Sequence, residues 1–158
     1  MNKAFMVALE NDKEMLGQFV ERMKEEEIDR RIKDYWTIYE HIDHLVETQK
    51  MLLGRIEQFL EEESPVMKPY TPEDKPKANN PKKTAGELVA EFRDLRDRQI
   101  RRIRTAKKEV WEKIGKHEEY DRYSFEILLR HMIFHDYYHM YRMEELWIEK
   151  EQYIRELK

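Results

Sequence analysis

The stretch Ser64–Lys83 reads SPVMKPYTPEDKPKANNPKK and carries all five of the chain's prolines. Proline removes a backbone donor and clashes with the preceding helical turn, so this stretch is not a helix. It is also too polar and too punctuated for a core strand. Long amphipathic segments lie on both sides of it. A connection of about twenty residues between helices is long for a compact fold. Within a four-helix bundle such length predicts a crossover along the bundle rather than a tight reversal. The expected fold class is all-α: a four-helix bundle with a long crossover between helices 2 and 3.

The flanking segments supply the four helices. From Lys3 to about Glu26, apolar residues Phe5, Leu9, Leu16, Phe19 and Met23 recur at helical spacing. The charged run KEEEIDRRIKDY then interrupts the pattern. A second helix opens at Thr37, with Glu40 three residues on as a capping box. Its stripe is Ile38, Ile42, Leu45, Leu52, Ile56 and Phe59, and it ends near Glu63. The third starts at Thr84 with Glu87 as its box partner, and runs through Leu88, Phe92, Leu95, Gln99 and Ile103 toward Val110. The fourth starts near Ser124 and continues through Leu128, Met132, Met143 and Leu146. No internal repeat and no strand-period segment stands out.

Composition agrees with a helical bundle. The 158 residues suit one domain spanning 1–158. Charged residues make up 41% and hydrophobic ones 40%, with only 4 Gly, so breakers are scarce outside the proline stretch. The absence of cysteine excludes a thiol nucleophile and a thiolate ligand. Acidic residues appear at Glu10 and Asp12 before any leader-like apolar run develops, and no segment has the roughly 18 apolar residues of a membrane span. A cytoplasmic protein without a membrane partner is the expectation. The net charge of −4 offers no general attraction to nucleic acid. The arginines of FRDLRDRQIRRIRTAKK are interleaved with Asp94 and Asp97 and spread around the third helix. That pattern predicts a solvated helix with i, i+4 ion pairs, not a nucleic-acid face.

The fourth helix contains RHMIFHDYYHMYRMEELW, residues 130–147, in which His131, His135 and His139 follow one another at four-residue steps. With Leu128 as reference, Met132, Met143 and Leu146 fall within about 60° of one direction on the helical wheel, and so do His135 and His139. His131 and Tyr138 lie on one flank. Asp136, Tyr137, Met140 and Glu144 fall on the expected polar side. Two imidazoles therefore point toward the core about one turn apart, roughly 6 Å. A buried polar group without a partner costs about 1–3 kcal/mol. A shared metal ion removes that cost for both rings; the plainer reading is that each bonds to a core tyrosine or carboxylate. A third ligand would come from His41 or His44 on the second helix. Periodicity places His41 nearer the apolar stripe and His44 further round the edge, and does not choose between them.

The segment WTIYEHIDHLVETQKML, followed much later by LLRHMIFHDYYHMYRM, resembles the DinB-like (DinB/YfiT-like) superfamily of four-helix-bundle metalloenzymes. Its members show Trp-Ser/Thr-x-x-Glu-x-x-x-His on the second helix and His-x-x-x-His on the last. The resemblance covers nearly the whole chain and implies His44, His135 and His139 as metal ligands. Where many members follow the last histidine with x-Gly-Gln, this chain has Tyr141 and Arg142. The resemblance further implies a Zn, Ni or Fe ion and a small-molecule substrate. The expected chemistry is a metal-activated thiol or water, in the manner of a thiol S-transferase or isomerase that takes a low-molecular-weight thiol.

Three further residues are candidates for catalysis. Arg142 lies about 40° from the stripe centre, where it can meet a substrate carboxylate or instead pair with Glu145. His131 can serve as a fourth ligand or, being off-centre, more readily as a partner behind the ligands, and Tyr138 as an acid, a hydrogen-bond partner or packing. HDYYH approaches the His-Glu-x-x-His metalloprotease pattern, but Asp136 is one methylene short of glutamate and no strands for an extended peptide are expected. A non-catalytic, metal-stabilised structural bundle is the rival class. Trp147 and Tyr153 can supply a homodimer seam or cap the core.

Overall fold

The computed structural model describes residues 3–69 and 82–155. The expected long helices are α1 (Lys3–Val20), α3 (Ile38–Glu61), α4 (Ala85–Arg104) and α6 (Phe125–Ile148). Both capping boxes form. Thr37 Oγ1 accepts from the Glu40 N–H at 3.2 Å while Glu40 Oε2 accepts from the Thr37 N–H at 2.9 Å. Thr84 and Glu87 do the same at the start of α4. Ser124 Oγ caps α6 by accepting from the Ile127 N–H.

Cross-helix contacts fix the direction of each helix. Going along α3, Tyr39 meets Lys83, Lys50 meets Glu91 and Glu57 meets Arg102, so α3 and α4 run parallel. Glu10 pairs with Arg104 and Lys13 with Asp97, making α1 and α4 antiparallel. His41 meets His139 and His44 meets His135, making α3 and α6 antiparallel. The four long helices thus run up, down, down, up. Two parallel neighbours in succession require the chain to return the length of the bundle between them. That is the crossover expected from the proline stretch, whose residues 70–81 lie outside the described residues.

Three expectations need correction. The first helix does not run to Glu26. It stops at Val20, and a short α2 (Glu25–Ile28) folds back so that Met23, Ile28 and Ile32 close over one end of the core. Val110 does not extend α4. Thr105 donates its hydroxyl to the Arg102 carbonyl at 2.7 Å where α4 ends, and Val110 sits on a separate turn, α5 (Lys108–Glu112). Strands are present: β1 (Val66–Met67) pairs in parallel with β2 (Ile114–His117), which pairs antiparallel with β3 (Tyr120–Ser124). They are too short to show a two-residue period. Gly115 is closely packed here: a Cβ would stand 3.1 Å from both Phe59 Cζ and the Pro65 carbonyl. This sheet caps the Phe59–Phe125 end of the bundle.

The core is divided. One apolar cluster contains Leu16, Ile42, Leu45, Phe92 and Met143; the other contains Leu9, Ile56, Phe59, Ile103 and Leu128. Between them lies a fully buried polar layer with members from all four long helices: Asp12, Gln49, Arg96, Gln99 and Asp136. Arg96 pairs with Asp136, lies 3.3 Å from Asp12 through Nε, and donates to Gln99 Oε1 at 2.8 Å. Gln49 donates to Asp136 Oδ1 at 2.9 Å, and Gln99 donates to the Gln49 carbonyl at 2.9 Å. Two expectations fail for the same reason. Asp136 and Met140 are buried rather than on a polar side, and Arg96 is not solvated. Other arginines pair between helices, as Arg102 does with Glu57, rather than along their own helix.

Two carboxylates share one guanidinium in this layer. Burial pushes the Asp12 carboxyl up from 3.8 to about 8, opposed by Arg96 and reinforced by Asp136. As an ionised acceptor neither Asp12 oxygen has a hydrogen-bond partner. Protonated, Asp12 donates to Asp136, and one charge then faces one charge. Between pH 4 and 8 the folded state holds a proton that the unfolded chain has released, so this group lowers stability as pH rises. The difference in urea-unfolding stability between wild type and Asp12→Asn is therefore expected to move in the variant's favour from pH 5.5 to pH 8; a difference constant with pH contradicts this. Arg96→Met, which leaves Asp136 uncompensated, is expected to cost about 3–5 kcal/mol at pH 7, and a loss below about 1 kcal/mol contradicts the role given to the layer.

Candidate metal centre

The first turns of α3 and the middle of α6 bring four imidazoles together. Trp36 precedes the Thr37 cap, which sets its indole over the start of α3. Its ring centroid lies 5.0 Å from that of His44, 5.3 Å from His41 and 6.0 Å from His139, nearly parallel to the last. His41 and His139 are buried, whereas His44 and His135 are half-buried and reach the solvent boundary. Tyr138 stands edge-on to His139 and is itself exposed.

One nitrogen each from His44, His135 and His139 lie within 4.8 Å of one another. The two Nε2 atoms of His44 and His135 are 3.2 Å apart. Two imidazoles on one tetrahedral ion, at about 2.0–2.1 Å each, have their nitrogens about 3.3 Å apart. The His44–His135 pair therefore fits a divalent cation in separation, and all three donors fit it in type, since neutral imidazoles suit Zn²⁺, Ni²⁺ and Fe²⁺.

The electrostatics keep lone pairs available. Burial lowers the His139 pKa from 6.5 to about 2, with further lowering from His135, His44 and His41. Burial also lowers His41 to about 4, helped by the Arg142 guanidinium. Both rings are neutral at pH 7. His135 Nδ1 is buried without a hydrogen-bond partner, 3.7 Å from Asp136 Oδ1.

A sequence model of the DinB superfamily matches residues 8–143. The chain belongs to the DinB superfamily. No curated protein sequence matches it. Among solved structures, it is similar to YfiT from Bacillus subtilis, with a TM-score of 0.79 and 22% identity over 91% of this chain and 84% of that one. That likeness is one of fold. YfiT is described as a probable metal-dependent hydrolase with an unusual four-helix bundle topology.

The remaining candidate residues are distributed unevenly around this candidate site. Arg142 is buried and donates to Glu145 Oε2 at 2.5 Å and to the Arg155 carbonyl at 2.8 Å, so it ties the C-terminal segment to α6. His131 turns toward the hairpin, with its ring 5.2 Å from Tyr120 and 5.7 Å from Tyr123. Trp147 packs edge-on against Phe19 within the bundle, while Tyr153 stays exposed. Trp36 is part of the motif, but a helical wheel of α3 gives it no place because it precedes the helix.

In metal-free protein, the ring resonances of His41 and His139 are expected to stay flat between pH 5 and 8 in an NMR titration. An inflection near 6.5 in either would contradict their burial as neutral rings.

Proposed function

We propose that this protein is a divalent-metal-dependent enzyme acting on a small molecule, with the cation held by His44, His135 and His139. The observation that carries the reading is the convergence of three imidazole nitrogens at the solvent boundary. A purely structural ion is normally enclosed by four protein ligands. Three converge among the described residues, and two of those three rings are half-buried at the solvent boundary, which favours catalysis over the structural reading. A divalent ion supplies Lewis acidity, drawing the pKa of a water or thiol beside it toward neutrality.

The chain's own residues do the rest. Trp36 lies nearly parallel to His139 and edge-to-face with His44, so its packing restrains two of the three rings. Trp36 and Tyr138 wall the approach with apolar surface and exclude part of the solvent. Tyr138, whose ring stands edge-on to His139, is the exposed hydroxyl-bearing side chain beside this site and the candidate to hold a proton for a leaving group. The nucleophile is a water or the thiol of a small cofactor. The description of YfiT as a hydrolase supports water, and the DinB-like resemblance supports a thiol.

The test begins with metal analysis of protein purified without a histidine tag. About one divalent ion per chain is expected in wild type, with loss of most of it in His44→Ala and in His135→Ala. Variants that keep full metal would remove these residues from the site. The loaded protein is then offered activated esters and amides in one series, and low-molecular-weight thiols with electrophiles in the other. Turnover in one series that disappears in His135→Ala is the expected result. Full occupancy with no turnover in either series would favour the structural reading.

A further inference from the structure

A second histidine pair lies directly behind the candidate ligands. His41 Nδ1 and His139 Nδ1 are 2.8 Å apart, and both residues are buried. That distance is well below the separation of about 3.3 Å for two donors on one tetrahedral ion. Octahedral cis donors at the same bond length stand about 2.9 Å apart, so what sets His41 apart is that the converging nitrogens belong to His44, His135 and His139. The contact is therefore a hydrogen bond between rings and not shared coordination. It contrasts with the 3.2 Å between His44 and His135 one turn away.

A neutral imidazole has one N–H and one lone pair, on different nitrogens. His139 Nδ1 is occupied by His41, so the nitrogen left for a cation is Nε2. With the Nε2 lone pair committed, the proton of His139 must sit on Nδ1, where it donates to His41. His41 must then accept through Nδ1 and carry its own proton on Nε2. The two tautomers are fixed together.

We propose that His41 is a positioning residue for the metal centre: its Nδ1 accepts the Nδ1–H of His139 and so selects the tautomer that presents His139 Nε2 to the cation. The inference rests on the metal-site reading above. Ligating histidines usually give this second N–H to a carboxylate or a carbonyl. Here an imidazole from the neighbouring helix takes that part. Trp36 presses on both rings and holds the geometry. The same contact explains why the ring nearest the apolar stripe of α3 is not itself a ligand.

The test measures zinc affinity by competition with a chelating dye in wild type, His41→Phe and His41→Asn. Phenylalanine keeps the ring volume but offers no acceptor; the asparagine Oδ1 lies near the position of histidine Nδ1. Affinity is expected to fall about 10–100-fold in His41→Phe and to return to within a few-fold of wild type in His41→Asn. Nitrogen-15 NMR of the zinc-loaded wild type is expected to show His139 ligated through Nε2 with a proton on Nδ1, and His41 not ligated. Equal affinity in wild type and His41→Phe overturns the proposal, as does His41→Asn binding as weakly as His41→Phe. A His41 resonance shifted by coordination overturns it too. These failures leave the metal-site reading standing. A wild type that binds no zinc removes both.

Discussion

The buried ion pair between Arg96 and Asp136 holds the rest of the structure in place. It sits in a polar layer to which every long helix contributes, sandwiched between two apolar clusters. Apolar packing alone tolerates a slip of one helix along another, because one methyl-lined groove resembles the next. A buried guanidinium does not. A shift of one turn would leave Arg96 without its carboxylates and Gln49 without Asp136, each an uncompensated group in a dry interior. Such a layer adds little net stability compared with hydrophobic residues, but it restricts the bundle to one register.

Register is what the candidate metal centre needs. Gln49 bonds to Asp136, and Asp136 is next in sequence to His135. His44 precedes Gln49 by a little over one turn on α3. The polar layer and the histidines therefore share the α3–α6 interface, in which His44 meets His135 and, one turn further, His41 meets His139. The same antiparallel pairing brings two pairs of ring nitrogens together, at 3.2 Å between His44 and His135 and at 2.8 Å between His41 and His139. Burial keeps the inner pair neutral, and the outer pair meets solvent, where a substrate can arrive.

Much of this is legible in the amino-acid order, and the exceptions have physical reasons. Thr37–Glu40 and Thr84–Glu87 announce helix starts because a capping box is a local interaction between residues three apart. The proline stretch announces a crossover because proline's backbone limits act wherever it stands. By contrast, β1 is two residues long, and no periodicity exists over two residues. Asp136 and Arg96 look like surface groups on their own helices, because each is justified only by a partner from a distant segment. Helical spacing gives His41 more burial than His44, and the structure agrees. Spacing cannot assign their roles, since a ring bonded to a ligand lies deeper than the ligand at the solvent edge. Which histidine faces which on α6 depends on how the two helices pack, and only the assembled bundle shows it.

Anomalous diffraction from crystals grown with Zn²⁺, recorded on both sides of the zinc absorption edge, tests the central claim most directly. A strong anomalous peak is expected within bonding distance of His44 Nε2, His135 Nε2 and His139 Nε2, with His41 hydrogen-bonded to His139 and outside the coordination sphere. Peaks confined to surface carboxylates, with these three rings bonded only to one another, would contradict it.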